Sequence, residues 1–169
     1  GVIALSAPRY AAFVDTLAAH GLAPAPALLA MLAVYFGASA DTRQLVIGVP
    51  NHGRRTPADK RAIGVFLGVN AIALDVDREQ TFADVARDVA ARLKAAYRHQ
   101  RYPLGHVLRD RGLSGPDARL YDVAFSYLKL DSRFEIDGHS AGLHYLSHHH
   151  EKTPLLLTVW EYGDTQPVE

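Results

Sequence analysis

The run Leu45-Val46-Ile47-Gly48-Val49 carries no polar side chain. A strand points successive side chains to opposite faces, so such a run is buried only if both faces are covered, the signature of a central strand. Just upstream, after Pro24 and Pro26, Leu28, Leu29, Met31, Leu32, Val34, Tyr35 and Phe36 are apolar on nearly every side of a helix, which predicts a helix buried between layers. A chain that holds both must be layered. Helices gather in the first part and strands in the last, so the reading is α/β of the α+β sandwich kind: a mixed β-sheet with helices packed on it, not a regular alternation.

The remaining elements fit that frame. Ser6 and Pro8 open a helix whose Phe13, Val14 and Leu17 share a face and which Gly21 stops. Pro50, Asn51, Gly53 and Pro57 predict a long loop over 50–62, made basic by Arg54, Arg55, Lys60 and Arg61. A strand follows over Val69 to Val76. Thr81 and Asp84 start the clearest helix, with Phe82, Val85, Val89, Leu93, Ala96 and Tyr97 on one stripe and Asp88 paired with Arg92 off it. Pro103 begins a short helix through Val107 and Leu108, ended by Gly112, Gly115 and Pro116. Extended segments are expected over Tyr121 to Leu130, Phe134 to Ile136, Leu143 to His149 and Leu155 to Tyr162.

Charge narrows the partners. Lys+Arg and Asp+Glu are both 18 in 169 residues, so no global field draws the chain to nucleic acid or to an anionic membrane. Cysteine is absent, which removes disulfides and thiolate metal sites and suits a reducing, cytoplasmic setting. No apolar run reaches the roughly 18 residues of a membrane span. The opening Gly1-Val2-Ile3, with neither initiator Met nor basic leader, reads as part of something longer, with residues 1–169 forming one lobe.

Two local patterns invite enzymatic readings. Gly138-His139-Ser140-Ala141-Gly142 satisfies G-x-S-x-G, but that motif works only on a strand-to-helix turn, and the residues after it are β-like; a hairpin loop is the expectation over a serine hydrolase. His144 and His148 to His150 beside Glu151 suggest either imidazole ligands or a solvated strand end, and no metal site is assigned. They are not a His-His-x-x-x-Asp-Gly motif, because the aspartate position holds Thr153 or Pro154 in the two possible frames.

Three short patterns occur in fixed order: Ile63-Gly64-Val65-Phe66, then His99-Gln100-Arg101-Tyr102-Pro103, then Leu120-Tyr121-Asp122-Val123-Ala124-Phe125. With Leu5-Ser6-Ala7 and Leu45 to Pro50, they make the chain similar to the C-terminal lobe of the condensation domain of nonribosomal peptide synthetases. The resemblance implies a chloramphenicol-acetyltransferase-like fold. It implies amide-bond formation between thioesters borne on the phosphopantetheine arms of donor and acceptor carrier proteins. No catalytic residue is assigned to this lobe, because the family's His-His-x-x-x-Asp-Gly lies on the N-terminal lobe, its partner; no cofactor is bound directly.

On that reading Gly64, Asn70 and Ser126 line the substrate tunnel, and the loop around residues 50–66 forms part of its floor. The basic loop either meets a carrier phosphate through Arg54, Arg55, Lys60 and Arg61 or is a solvated connection. Tyr121 and Phe125 are expected in the core, and His99 at a helix end, where a cation meets the negative end of the helix dipole. Departures mark the chain as divergent. The family's Ile-Gly-x-Phe-Val-Asn-Thr continues here as Leu67-Gly68-Val69 with an asparagine only at Asn70, and Arg101, Leu104 and Gly105 replace the Asp, Phe and Glu of His-Gln-Asp-Tyr-Pro-Phe-Glu. The alternatives are a lobe of a coenzyme A-dependent acyltransferase of the same fold and a non-catalytic interaction module.

Overall fold

The computed structural model describes residues 1–129, 134–141 and 152–162. In chain order these form α1 (Ala7–Ala19), α2 (Pro24–Ser39), β1 (Gln44–Asn51), α3 (Pro57–Arg61), β2 (Gly68–Asp75), α4 (Phe82–Arg98), α5 (Leu104–Asp110), β3 (Val123–Lys129), β4 (Phe134–Ile136), β5 (His139–Ala141) and β6 (Leu155–Glu161). The expected strand over Leu143 to His149 lies outside the described residues, as do His144, His148 to His150 and Glu151.

The main sheet has the order β2-β1-β3-β6. β1 runs antiparallel to β2 and parallel to β3, and β3 parallel to β6, so the sheet is mixed, as the sequence predicts. Register separates its faces. Ile47, Val49, Ile72, Leu74, Val123, Phe125, Tyr127 and Val159 turn to one side and pack with Leu29, Ala30 and Ala33 of α2 and Val85, Ala86, Val89 and Leu93 of α4. Val46, Gly48, Pro50, Ala124, Ser126 and Leu128 alternate with these and so turn to the other side.

Some helix ends trace to identifiable residues. In α1 the N–H of Leu22 reaches Leu17 O and that of Gly21 reaches Ala18 O, both at 2.9 Å, with Gly21 at φ 66: the expected left-handed stop. Ser6 is the N-cap by position, but its hydroxyl makes no capping bond. α4 begins at Thr81, whose Oγ1 accepts from Asp84 N at 3.3 Å, and Arg92 Nε meets Asp88 at 2.6 Å four residues back.

Three expectations need correction. α2 is not enclosed between layers: Ala27, Leu29, Ala30, Ala33 and Gly37 are buried, while Met31, Val34 and Tyr35 are exposed. Its small residues let the backbone approach closely; a methyl on Gly37 would stand 3.1 Å from Thr42 O. β1 is sealed on one face only, since α2 and α4 both pack there and Val46 on the other side remains 36% exposed. Tyr121 is not in the helix-side core with Phe125; its ring lies over Gly48 on the opposite face, where an added methyl would come within 2.5 Å of the ring.

The long basic loop carries a helix the sequence reading missed. Thr56 and Asp59 form a reciprocal capping box and Pro57 pre-sets the first turn, which suffices for the five residues of α3. At β4–β5, Asp137 (φ 52) and Gly138 (φ 74) make a two-residue turn between antiparallel strands, with Ser140 opposite Glu135. Strand runs on both sides of this turn, so Ser140 lacks the strand-to-helix elbow of a hydrolase nucleophile. Gly142 lies outside the described residues.

Candidate functional site

Two of the three patterns, far apart in sequence, meet at α3 and its loop. β1 ends at Asn51, and the chain returns into β2 at Gly68 after α3. Within this loop the Arg54 guanidinium turns inward. Its Nη1 donates to Ala62 O at 2.7 Å and also to Asp59 O, its Nη2 donates to Gly64 O at 2.8 Å, and it stacks 4.2 Å from the Phe66 ring centre. A planar, always-charged group with several donors can hold a loop from within in this way. Asp59 also receives the N–H groups of Arg55 and Thr56 at 3.1 and 3.0 Å, and these bonds hold its carboxyl below the ordinary carboxylate range. The same carboxylate lies 3.6 Å from Arg101, which joins the His99-to-Pro103 pattern to the loop that carries Ile63 to Phe66.

His99 caps the C-terminus of α4. Arg55, Lys60 and Arg61 are exposed, with no side-chain ion pair among the described residues, whereas Arg54 is half-buried and committed inward. Four basic residues that look equivalent in sequence thus occupy two different environments. Ile63, Val65 and Leu67 on the same loop are exposed, Ile63 at 104%.

The three residues expected to line the tunnel do not share a face. Gly64, at φ 149, lies in the loop and gives its carbonyl to Arg54. Asn70 pairs with Val49 across β1–β2 and therefore turns to the helix side; Ser126 turns to the opposite side, level with Thr158 of β6. Asn70 instead meets Asn51, which reading by strand pattern left unnoticed: Asn51 Nδ2 donates to Asn70 Oδ1 at 3.3 Å. The signal was available in retrospect, because a polar residue ending a buried strand needs a partner.

A polar cluster also escaped the sequence reading. The Tyr10 and Tyr127 hydroxyls are 2.6 Å apart, both donate to Glu161 Oε2 (from Tyr10 at 3.0 Å), and Lys129 Nζ lies 2.8 Å from Glu161 Oε1. Burial, then hydrogen bonding to Glu161, pushes the Tyr127 phenol far up. Burial alone would raise the Glu161 carboxyl, but the hydrogen bonds from Lys129, Tyr127 and Tyr10 outweigh it and hold the group below its ordinary value. Residues from α1, β3 and β6 converge here, a pairing that no local pattern announces.

Of the cavities among the described residues, two bear on the site. One of about 530 Å³ lies between Leu104 and Leu108 of α5, the segment 116–121 and Lys152–Thr153. The other, about 400 Å³, lies between Val2, Ile3, Phe13 and Leu28 and the strand residues Leu156 and Trp160. Gly64, Asn70 and Ser126 line neither. Among the described residues no single helix is long and apolar enough to cross a membrane.

The sequence profile of the condensation domain matches residues 2–165, and the chain belongs to that family. Vanchrobactin synthetase VabF of Vibrio anguillarum is 29% identical over 126 residues, covering 75% of this chain and 4% of that protein. Enterobactin synthase component F of Escherichia coli O157:H7 is 28% identical over 119 residues, covering 70% of this chain and 9% of that protein. Among solved structures, the first condensation domain of the CDA synthetase superposes with a TM-score of 0.77 at 17% identity, over 98% of this chain and 37% of that one. The starter condensation domain of rhizomide synthetase, in complex with C8-CoA and Leu-SNAC, gives 0.77 at 20% identity, over 98% of this chain and 36% of that one. The fold is therefore the chloramphenicol-acetyltransferase-like one expected, and the chain spans only a small part of these synthetases and little more than a third of these solved chains.

Proposed function

We propose that this chain is the C-terminal lobe of a condensation domain and forms amide bonds only together with an N-terminal lobe. In that reaction an acceptor amine attacks the carbonyl of a donor thioester; the N–C bond forms, the C–S bond breaks, and the amine proton ends on the departing phosphopantetheine thiolate. A base is needed to move that proton, and the family's His-His-x-x-x-Asp-Gly does not occur in this sequence. This lobe supplies tunnel wall, carrier docking surface and exclusion of water. Gly64, Asn70 and Ser126 are the tunnel residues of this proposal; Arg55, Lys60 and Arg61 face the phosphate or acidic surface of a carrier, and Arg54 shapes the loop that presents them. Phosphopantetheine arrives on the carriers, and the assembly works in the cytoplasm.

The observation that carries the reading is the family match along residues 2–165, supported by the Asp59–Arg101 contact that joins two of the family's patterns. The test is reconstitution with donor- and acceptor-loaded carriers, reading amide product by mass spectrometry. The complete two-lobed domain is expected to make product and the 169-residue chain alone to make none. Product from the chain alone would overturn the division of labour, and transfer from coenzyme A but not from a carrier would favour the other acyltransferase class. Reversing Arg55, Lys60 and Arg61 to Glu should weaken carrier binding most at low salt.

A further inference from the structure

We propose that Asn51 and Asn70 together form a receptor for one secondary amide of the carrier-borne substrate; this deepens the condensation reading and rests on it. Asn51 is only 6% exposed. Its Nδ2 donates to Asn70 Oδ1, but the return bond from Asn70 Nδ2 to Asn51 Oδ1, which would close a cyclic amide pair, is not made, and both atoms are buried without a partner among the described residues. Leaving a donor and an acceptor in this condition is costly, so each such group calls for an occupant. One unused acceptor and one unused donor match the N–H and C=O of a secondary amide, which inserted between them completes both bonds.

The local backbone sets the Asn51 carboxamide in place. Gly68 pairs with Asn51 across the strands, and a methyl there would stand 3.2 Å from Asn51 Nδ2, so the Asn51 carboxamide lies over the position that has no side chain. Gly68 also occupies the place of the asparagine in Ile-Gly-x-Phe-Val-Asn-Thr, and Asn70, two residues on, shares its face. β1 and β3 pair at Ile47–Val123 and Gly48–Ala124, and Asn51 lies beyond that ladder, at the end of β1 that pairs with β2 but not with β3. The substrate class fits, because both a phosphopantetheine arm and a peptidyl donor carry secondary amides.

The experiment uses the complete condensation domain and S-acyl pantetheine probes, with binding read by titration and by the side-chain amide NMR signals of Asn51 and Asn70. Each pantetheine amide is replaced in turn by an ester, and a peptidyl-pantetheine carries the same exchange in its acyl part. One exchange should weaken binding to the wild type about three- to tenfold. The exchange that does so identifies the source of the amide. It should cost nothing in Asn51→Leu/Asn70→Leu, or in Asn51→Leu alone, which removes the acceptor the amide N–H needs, should the double variant not fold. Equal losses in wild type and variants, or none, would assign the pair to a buried structural water and overturn the inference. Amide product with no such discrimination sinks this inference alone; discrimination without product sinks the condensation reading and leaves the receptor standing.

Discussion

The two faces of the sheet both carry apolar residues and meet opposite fates. On the helix side Ile47, Val49, Ile72 and Leu74 are buried and Phe125 is 2% exposed; on the other, Val46 and Leu128 remain 36% and 38% exposed beside a glycine roofed by one tyrosine ring. Hydrophobicity states that a surface is to be covered, not what covers it. The helix side is closed by this chain's own α2 and α4, whereas on the opposite side and at the tip of the 52–67 loop apolar residues stay exposed.

That contrast can be broken most directly by truncation. Phe125→Ala should cost about 3–5 kcal/mol in chemical denaturation, against less than about 0.5 for Leu128→Ala. Similar losses at the two sites would mean that both faces are core. Next comes the link that holds α1 to the sheet. Glu161→Gln should cost about 1–3 kcal/mol near neutral pH by weakening the bonds from Lys129, Tyr127 and Tyr10. The Glu161 carboxyl is held below its ordinary 4.5 in the folded chain. Its contribution is therefore complete above that value and lost as pH falls through the lower folded one, so wild type and variant should converge in acid. Denaturation midpoints that stay equally far apart down to about pH 3 would contradict this.

On the open face Gly48→Ala drives a methyl into the Tyr121 ring and should cost about 1–3 kcal/mol. Tyr121→Ala should cancel most of that loss in a double-mutant cycle, whereas additive effects would show that the ring moves aside freely. Smallest in stability is the loop tip. Ile63→Ser with Val65→Ser should change the unfolding free energy by less than about 0.5 kcal/mol per site while abolishing association with the N-terminal lobe. Intact association would show that the tip is not an interface.

The fold was legible where one local rule decides the outcome. The α4 stripe and the Gly21 stop need only neighbours in sequence to be read, and the order of three patterns disclosed the family; the expected hairpin loop from Gly138 to Gly142 is instead a two-residue turn at Asp137-Gly138, with His139–Ala141 already in strand. What escaped depends on contacts between distant residues. Asn51 meets Asn70 because of β1–β2 register, Tyr121 swings onto Gly48 because that position lacks a side chain, and Glu161 collects hydroxyls from α1 and β3. Arg54 and Arg55 are adjacent and chemically alike, yet one is a clamp and the other a solvent-facing cation; only the carbonyls brought round by α3 distinguish them.

The Arg54 clamp has a thermodynamic corollary. A segment that displays apolar side chains on slack backbone surrenders chain entropy whenever it docks, and that loss is subtracted from the gain of contact. Here three carbonyls and an aromatic ring are fastened to one guanidinium beforehand. In the proposed lobe contact Ile63 and Val65 would reach their counterpart already ordered, and more of the area they cover would count toward affinity.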